Sequence, residues 1–369
     1  MSFIDIYNKY SEFDFVNKLK NFKFSDIEQV LLKEHLDAND FMALLSPAAE
    51  KHLELMAQKA NRLTVQYFGK VIQLYTPLYL SNYCINICSY CGFNADNFTQ
   101  RKKLTLEQVR EEAECISATG LKHILILTGD SKQMSPVAYI KECVQVLREF
   151  FSSISIETYA LTQDEYGQLI DAGIDGVTIY QEVYDKNIYG AVHLKGPKMD
   201  YDFRLDASER ALKQGIRTAN IGALLGLADW PKEIFFTGMH ARYLHKKFPE
   251  AEIGVSVPRM RPHLGVFENI YPVTDKNLAQ IILALRIFLP RIGIALSTRE
   301  DAELRDNLLA LGITRLSAGS TTAVGGHTQE YEQHQDEQFQ ISDKRNVKQI
   351  KQMLYQKQYQ PVLKDWMSF

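Results

Sequence analysis

The residues best suited to chemistry are three cysteines in the stretch Cys84-Ile-Asn-Ile-Cys88-Ser-Tyr90-Cys91-Gly-Phe93, which directly follows an apolar run from Val71 to Leu80. The run reads as a buried strand and the cysteines as the loop it delivers. Soft thiolates gathered on one short loop suit zinc or an iron–sulfur cluster. Structural zinc takes four ligands, usually two cysteine pairs or a cysteine pair with a histidine pair. Neither second pair is present: Cys115 and Cys143 stand alone in amphipathic stretches, and no histidine pair follows the cysteines at finger spacing. Three ligands without a fourth favour a cubane cluster with one iron left open. An open iron can bind a substrate or cofactor, so the ligand count points to chemistry rather than to a structural clip.

The elements that must position this loop alternate along the rest of the chain. Its 369 residues could form two average domains or one α/β barrel with extensions. Residues 1–70 read as a helical extension, with a capping box at Ser25-Asp-Ile-Glu28 and helical periodicity from Ala48 to Phe68. Strand candidates follow at Val71–Leu80, His123–Thr128, Ser153–Tyr159, Gly176–Tyr180, Thr218–Leu224, Glu252–Pro258, Gly293–Ser297 and Arg315–Ala318. Amphipathic stretches separate them, at Thr105–Thr119, Pro136–Phe151, Gln163–Ala172, Tyr201–Gln214, Trp230–Phe248, Thr274–Leu289 and Arg299–Leu311. Such β/α alternation over 71–320 predicts an α/β fold, a (β/α)8 barrel of the TIM type; a doubly wound open sheet is the structural alternative. Gly120, Gly173, Gly215 and Gly312 close helices before strands and so fix where each strand begins. Residues 321–369 read as a polar C-terminal extension, with a helix from Asp343 to Gln356 and a final Pro361-Val-Leu-Lys-Asp-Trp366 segment that packs back on the body.

Composition narrows the function. The net charge is −3, and no Lys/Arg stripe interleaved with aromatics runs along the chain, so the footprint of a nucleic-acid binder is missing. The first ten residues lack a basic segment followed by an apolar core, and no apolar run approaches the length that spans a membrane. An odd cysteine count, three of them ligand-like, fits a reducing cytoplasm.

Barrel enzymes keep their sites at the C-terminal ends of the strands. The second strand ends in Thr128-Gly129-Asp130, where glycine admits a ligand to the backbone and the carboxylate can accept from an ammonium; in other contexts the same dipeptide is simply a turn. Glu157 ends the third strand, and the fourth runs into Tyr180-Gln181-Glu182, where carboxylate and amide suit ribose hydroxyls or ordinary surface polarity. Arg204 offers a cationic fork for a carboxylate, or a helix-surface ion pair. Gly222, with Gly226, allows close approach of a flat ring, though turn glycines are common. Arg259, Arg261, Arg299, Ser317 and Ser320 fall at the ends of the last strands, where arginine argues for an anionic ligand or for bridges between loops.

The CxxxCxxC spacing, with Tyr90 before the last cysteine and Phe93 just after it, resembles the radical S-adenosylmethionine (SAM) enzymes. That resemblance implies that Cys84, Cys88 and Cys91 hold a [4Fe-4S] cluster whose open iron chelates SAM. It further implies that Tyr90, Phe93, Gly129, Asp130, Glu157, Gln181, Glu182, Arg204 and Gly222 surround the cofactor. Gly129 and Asp130 then meet the amino group of SAM, Arg204 its carboxylate and Gly222 its adenine, with Asp130 standing where relatives more often have glutamate. Leu44-Leu-Ser-Pro-Ala-Ala49, Pro77-Leu-Tyr-Leu-Ser-Asn82, Tyr180-Gln-Glu182, His193-Leu-Lys-Gly196, Pro258-Arg-Met-Arg-Pro262, Ser297-Thr-Arg-Glu300 and Lys364-Asp-Trp366 extend the likeness to the 2-iminoacetate synthases, the tyrosine lyases of bacterial thiamine thiazole biosynthesis. Their hydrogenase-maturing relatives carry a further C-terminal cysteine motif, whereas this chain has no cysteine after Cys143. The likeness implies cleavage of the tyrosine Cα–Cβ bond to 2-iminoacetate and 4-cresol, with SAM giving methionine and 5′-deoxyadenosine. Arg299, aided by Ser317, would hold the tyrosine carboxylate, with Arg259 and Ser320 as further substrate contacts. An electron donor of the flavodoxin or ferredoxin type and the thiazole synthase are the implied partners. The competing readings are a radical SAM enzyme acting on tryptophan or in deazaflavin synthesis, and a metal-stabilised interaction protein without activity.

Overall fold

The computed structural model describes residues 2–263, 267, 270–328 and 337–364. Eight parallel strands close on themselves: β1 (Val71–Ser81), β3 (His123–Thr128), β4 (Ser153–Glu157), β5 (Gly176–Thr178), β7 (Thr218–Gly222), β8 (Glu252–Ser256), β9 (Gly293–Leu296) and β10 (Arg315–Ser317). The ring shuts where Gln73, Leu74 and Tyr75 of β1 pair with Arg315, Leu316 and Ser317 of β10. That pairing excludes the open doubly wound sheet, which has two free edges. Strands such as His-Ile-Leu-Ile-Leu-Thr in β3 are buried along nearly their whole length because helices cover one side and the barrel interior the other.

Two shorter pairings escaped the sequence reading. β2 (Ile87–Cys88) and β6 (His193–Lys195) form an antiparallel ribbon at the barrel mouth. At the opposite end, β11 (Gln360–Val362) pairs with Val71–Gln73 at the start of β1, so the described part of the final segment does return to the body; Asp365 and Trp366 lie outside the described residues. These three strands are two or three residues long, too short to show a period of two.

Several boundaries differ from expectation. Ser25 sits inside the helix Phe24–Leu32; the reciprocal bond at its start is made instead by Asp26, whose carboxylate accepts from the Lys23 N–H at 2.8 Å. The stretch 201–214 breaks at Asp206 into Tyr201–Leu205 and Ala207–Lys213. After β9 the helix starts at Ala302, capped by Asp301, which frees Arg299 for the mouth. The C-terminal helix begins only at Val347, capped by Asn346. Asp343, expected in that helix, is buried between Arg305 and Arg345 instead.

The N-terminal helices lie against the barrel's outer helices Trp230–Lys247 and Asp275–Phe288. Phe3 stacks on His240 at 4.1 Å between centroids and Phe41 on Phe288 at 4.1 Å, while the Gln280 amide donates to the Leu44 and Ser46 carbonyls. Gly238 is required by this packing, because a Cβ there would sit 2.4 Å from the Phe41 ring. Among the described residues no helix is long and apolar enough to cross a membrane.

Candidate active site

The loop after β1 is held from three sides. Arg101 donates to the carbonyls of Asn82 at 2.7 Å, Phe93 at 3.0 Å and Asn94 at 2.7 Å, which ties both ends of the cysteine stretch to one guanidinium. The Asp130 carbonyl accepts from the Ile85 N–H at 2.9 Å, and its carboxylate from the Asn86 amide at 2.7 Å. Gly129 lies so close beneath the loop that a Cβ would meet the Tyr83 carbonyl at 2.3 Å. Above the loop, His193 is kept neutral by burial and by nearby Lys198 and Arg204, its pKa falling to about 2. Its Nδ1 must therefore donate to the Tyr189 carbonyl at 2.9 Å, leaving Nε2 to accept from the Tyr90 hydroxyl at 2.7 Å. Tyr90 is locked beside the cysteines by that bond.

Cys84 and Cys91 are half-buried and Cys88 is buried. Burial pushes the Cys88 thiol up to about 12; Lys198 works in the other direction, and neighbouring Cys91 and Cys84 add to the rise. The Cys91 thiol is raised first by burial and then by Cys84. Burial that disfavours the Cys88 and Cys91 thiolates suits a cationic iron centre, which removes their protons on binding. Among the described residues no three His, Cys, Asp or Glu side chains converge tightly enough to hold a single ion. A cubane does not ask for that, since each thiolate binds a different iron at its own corner. The residues present therefore fit a cluster better than zinc.

Cys91 lines a cavity running from the loop into the barrel mouth, walled by Tyr75, Tyr79, Tyr90, Tyr180, Leu125, Leu127 and Leu224, with Glu157, Glu182, Lys198, Arg261, Arg299, Ser317 and Ser320 among its polar groups. Glu182 stands at φ +68°, a left-handed conformation that an L side chain rarely adopts. The strain turns its carboxylate inward, where it accepts from Lys198 Nζ at 2.7 Å and Arg204 Nη2 at 3.5 Å. Burial opposes its charge, but the two cations win and hold its pKa below the ordinary range. Glu157 has the opposite fate: burial, then the Glu182 charge, push it up to about 7. Two carboxyl groups in one cavity are thus driven apart in acidity, one ionised and one able to hold or release a proton near neutrality.

The arginines separate into bound and available groups. Arg259, expected as a substrate contact, is occupied elsewhere: it pairs with buried Glu300, with Asp275 at 2.8 Å and with the Val273 carbonyl at 2.9 Å, and it is absent from the cavity wall. Glu300 binds Arg261 as well, at 3.1 Å. Arg299 does face the cavity; its guanidinium lies 3.4 Å from the centroid of Phe339 and, among the described residues, makes only a long contact, 3.5 Å, with the Arg259 carbonyl. Ser317 Oγ accepts from the Thr298 N–H at 3.0 Å, and Ser320 Oγ is buried with no partner among the described residues.

The remaining expected residues scatter around this centre. Arg204 donates to the Tyr180 carbonyl at 2.7 Å and lines an adjoining groove with Asp130; Lys198 belongs to both walls. Gln181 is buried with neither amide atom partnered among the described residues. Phe93 packs edge-on against Tyr79 at 5.8 Å, as core. At Gly222 a Cβ would strike the Ser256 carbonyl at 2.4 Å, so its smallness serves the packing of neighbouring strands. Sequence reasoning passed over Lys198, although it lies two residues beyond the His193–Gly196 stretch, and over Gln338 and Phe339, which sit in a polar tail without periodicity.

A closed (β/α)8 barrel with a three-cysteine loop at its mouth defines a radical SAM enzyme, and the radical SAM superfamily profile matches residues 78–237. That class binds a [4Fe-4S] cluster and SAM. The Biotin and Thiamin Synthesis associated domain matches residues 256–360. The chain is 39% identical over 346 residues to the 2-iminoacetate synthase of Salmonella typhimurium, covering 94% of this chain and 91% of that one, and 38% identical to the Escherichia coli enzyme over the same length. It belongs to the 2-iminoacetate synthase family. Among solved structures, the hydrogenase maturase HydG of Carboxydothermus hydrogenoformans superposes with a TM-score of 0.84 at 33% identity, over 98% of this chain and 82% of that one. Methylornithine synthase shares the fold, with a TM-score of 0.73 at 23% identity over 91% of this chain and 97% of that one.

Proposed function

We propose that this chain cleaves the Cα–Cβ bond of L-tyrosine to 2-iminoacetate and 4-cresol, supplying a precursor of the thiamine thiazole. Membership in a family of radical SAM lyases supports the reaction class, and the cavity supports the substrate. The observation that carries it is a half-buried, largely uncommitted guanidinium, Arg299, in the same cavity as Cys91, Glu157, Glu182 and an aromatic wall. An aromatic amino acid has these complementary parts: an anion for the arginine, an ammonium for a carboxylate and a ring for the tyrosine-lined wall.

In this reading Cys84, Cys88 and Cys91 hold the cluster. Asp130 and Arg204 in the adjoining groove, with Tyr90, Gly129, Glu157, Gln181 and Glu182, receive SAM. Cluster and SAM, when bound, supply a one-electron cleavage and the hydrogen abstraction that starts the reaction. The protein's own part is to orient and to shield. Arg299 and Ser317 fix the tyrosine carboxylate, and Ser320 offers an unpartnered hydroxyl beside them. Glu157, poised near neutrality, can hold or release a proton on the substrate. The strap carrying Gln338 and Phe339 covers the mouth and limits water.

Radical SAM enzymes need a reductant, and the proposed one is of the flavodoxin or ferredoxin type. The thiazole synthase is the proposed consumer of the labile imine. The test is anaerobic reconstitution followed by incubation with SAM, reductant and tyrosine. 5′-Deoxyadenosine and 4-cresol appearing together support the assignment; 5′-deoxyadenosine without 4-cresol sinks the tyrosine reading, and neither product sinks the class.

A further inference from the structure

The C-terminal region crosses the barrel mouth as a strap between residues 337 and 343. Its rungs are backbone bonds to barrel loops: Gln340 N–H to the Pro262 carbonyl at 3.0 Å, and Ser342 N–H to the Thr298 carbonyl at 3.0 Å. At its far end Asp343 is clamped between Arg305 and Arg345. The near end lies directly on the cysteine loop. The Gly92 N–H donates to the Gln338 carbonyl at 3.2 Å, and a Cβ on Gly92 would sit 2.5 Å from that oxygen, so the approach is possible only because residue 92 is glycine.

The same contact aims the Gln338 side chain. The Tyr79 hydroxyl donates to Gln338 Oε1 at 2.7 Å, which fixes the amide's orientation and leaves Nε2 3.8 Å from Cys91 Sγ. An amide with its oxygen engaged can present only N–H to the sulfur. We propose that Gln338 is a positioning residue that raises the reduction potential of the cluster by donating this hydrogen bond to its ligand Cys91. A donor to a thiolate ligand stabilises the reduced state more than the oxidised one, because reduction adds electron density to the sulfur. One segment thereby serves both ends of the mouth: it places Phe339 against Arg299 and delivers the donor to the cluster ligand.

The inference rests on the reading that Cys91 ligates the cluster, and its test needs no turnover. The anaerobically reconstituted full-length chain is compared with Gln338→Leu by EPR-monitored potentiometry in the absence of tyrosine, with iron and sulfide measured per chain. The expected result is unchanged cluster content and a lower midpoint, with about a tenfold smaller reduced-to-oxidised ratio at a given potential, which for one electron is about 59 mV. An unchanged midpoint with an intact cluster overturns the proposal. Should Gln338→Leu fail to take up iron, Tyr79→Phe decides: it keeps Gln338 but releases the amide, so a lower midpoint upholds the proposal and an unchanged one overturns it. A wild-type chain that reconstitutes no cluster defeats the proposed function itself, whereas a loaded wild type indifferent to Gln338 defeats this inference alone.

Discussion

Arg299→Ala separates substrate binding from cofactor chemistry. The guanidinium is half-buried, and desolvation lowers its pKa, yet it has no ion-pair partner at bonding distance among the described residues. Its donors are thus available for a carboxylate, and Phe339 holds the plane in place. Losing one side of a buried, hydrogen-bonded charge pair costs about 2–5 kcal/mol. At about 1.4 kcal/mol per tenfold, kcat/KM for tyrosine should fall by about 30- to 4,000-fold. Arg299→Lys keeps the charge but loses the planar fork, and should fall between wild type and Arg299→Ala. The assay is 4-cresol formation against tyrosine concentration, with iron, sulfide and SAM binding measured on the same preparations. Wild-type kcat/KM in Arg299→Ala with a full cluster would refute the reasoning, as would loss of SAM binding in parallel with tyrosine turnover.

Three further outcomes follow from the structure. Asp343→Ala leaves Arg305 fully buried with the Ser317 carbonyl as its remaining acceptor among the described residues, so the apo chain should lose about 3–5 kcal/mol in urea unfolding, and a loss below about 1 kcal/mol would show that the clasp is not holding the strap. Gly129→Ala drives a Cβ to 2.3 Å from the Tyr83 carbonyl; iron taken up per chain should drop, and full uptake would mean the loop yields freely. Glu157 is raised from 4.5 to about 7, so the folded chain keeps a proton that the unfolded chain gives up, and this stability is complete below pH ~4.5 and lost as the pH rises through 7. Glu157→Gln should flatten that part of the apo stability profile by about 3 kcal/mol, taken from about 1.4 kcal/mol per pH unit; an unchanged slope would show that Glu157 titrates normally.

Much of this was legible without coordinates. Cys84, Cys88 and Cys91 are close in sequence, so their pattern survives in a one-dimensional text, and the strand centres did too, because a buried parallel strand is a run of apolar residues. Helix-closing glycines such as Gly173, at φ +117°, likewise announce themselves by residue type.

What the text could not carry was competition between distant partners. Arg259 and Arg299 look alike at neighbouring strand ends, and only the fold brings Glu300 and Asp275 onto one while leaving the other on Phe339. Gly222 and Gly129 are both glycines at strand ends, yet one makes room for a neighbouring strand and the other for the cysteine loop. Gln338 lies 247 residues from Cys91 in a stretch without periodicity, and closing that distance is the work of the strap and its arginine clasp. Local chemistry is encoded by residue type and spacing; which charges are spent and which remain free depends on non-local packing, and the chain alone does not display it.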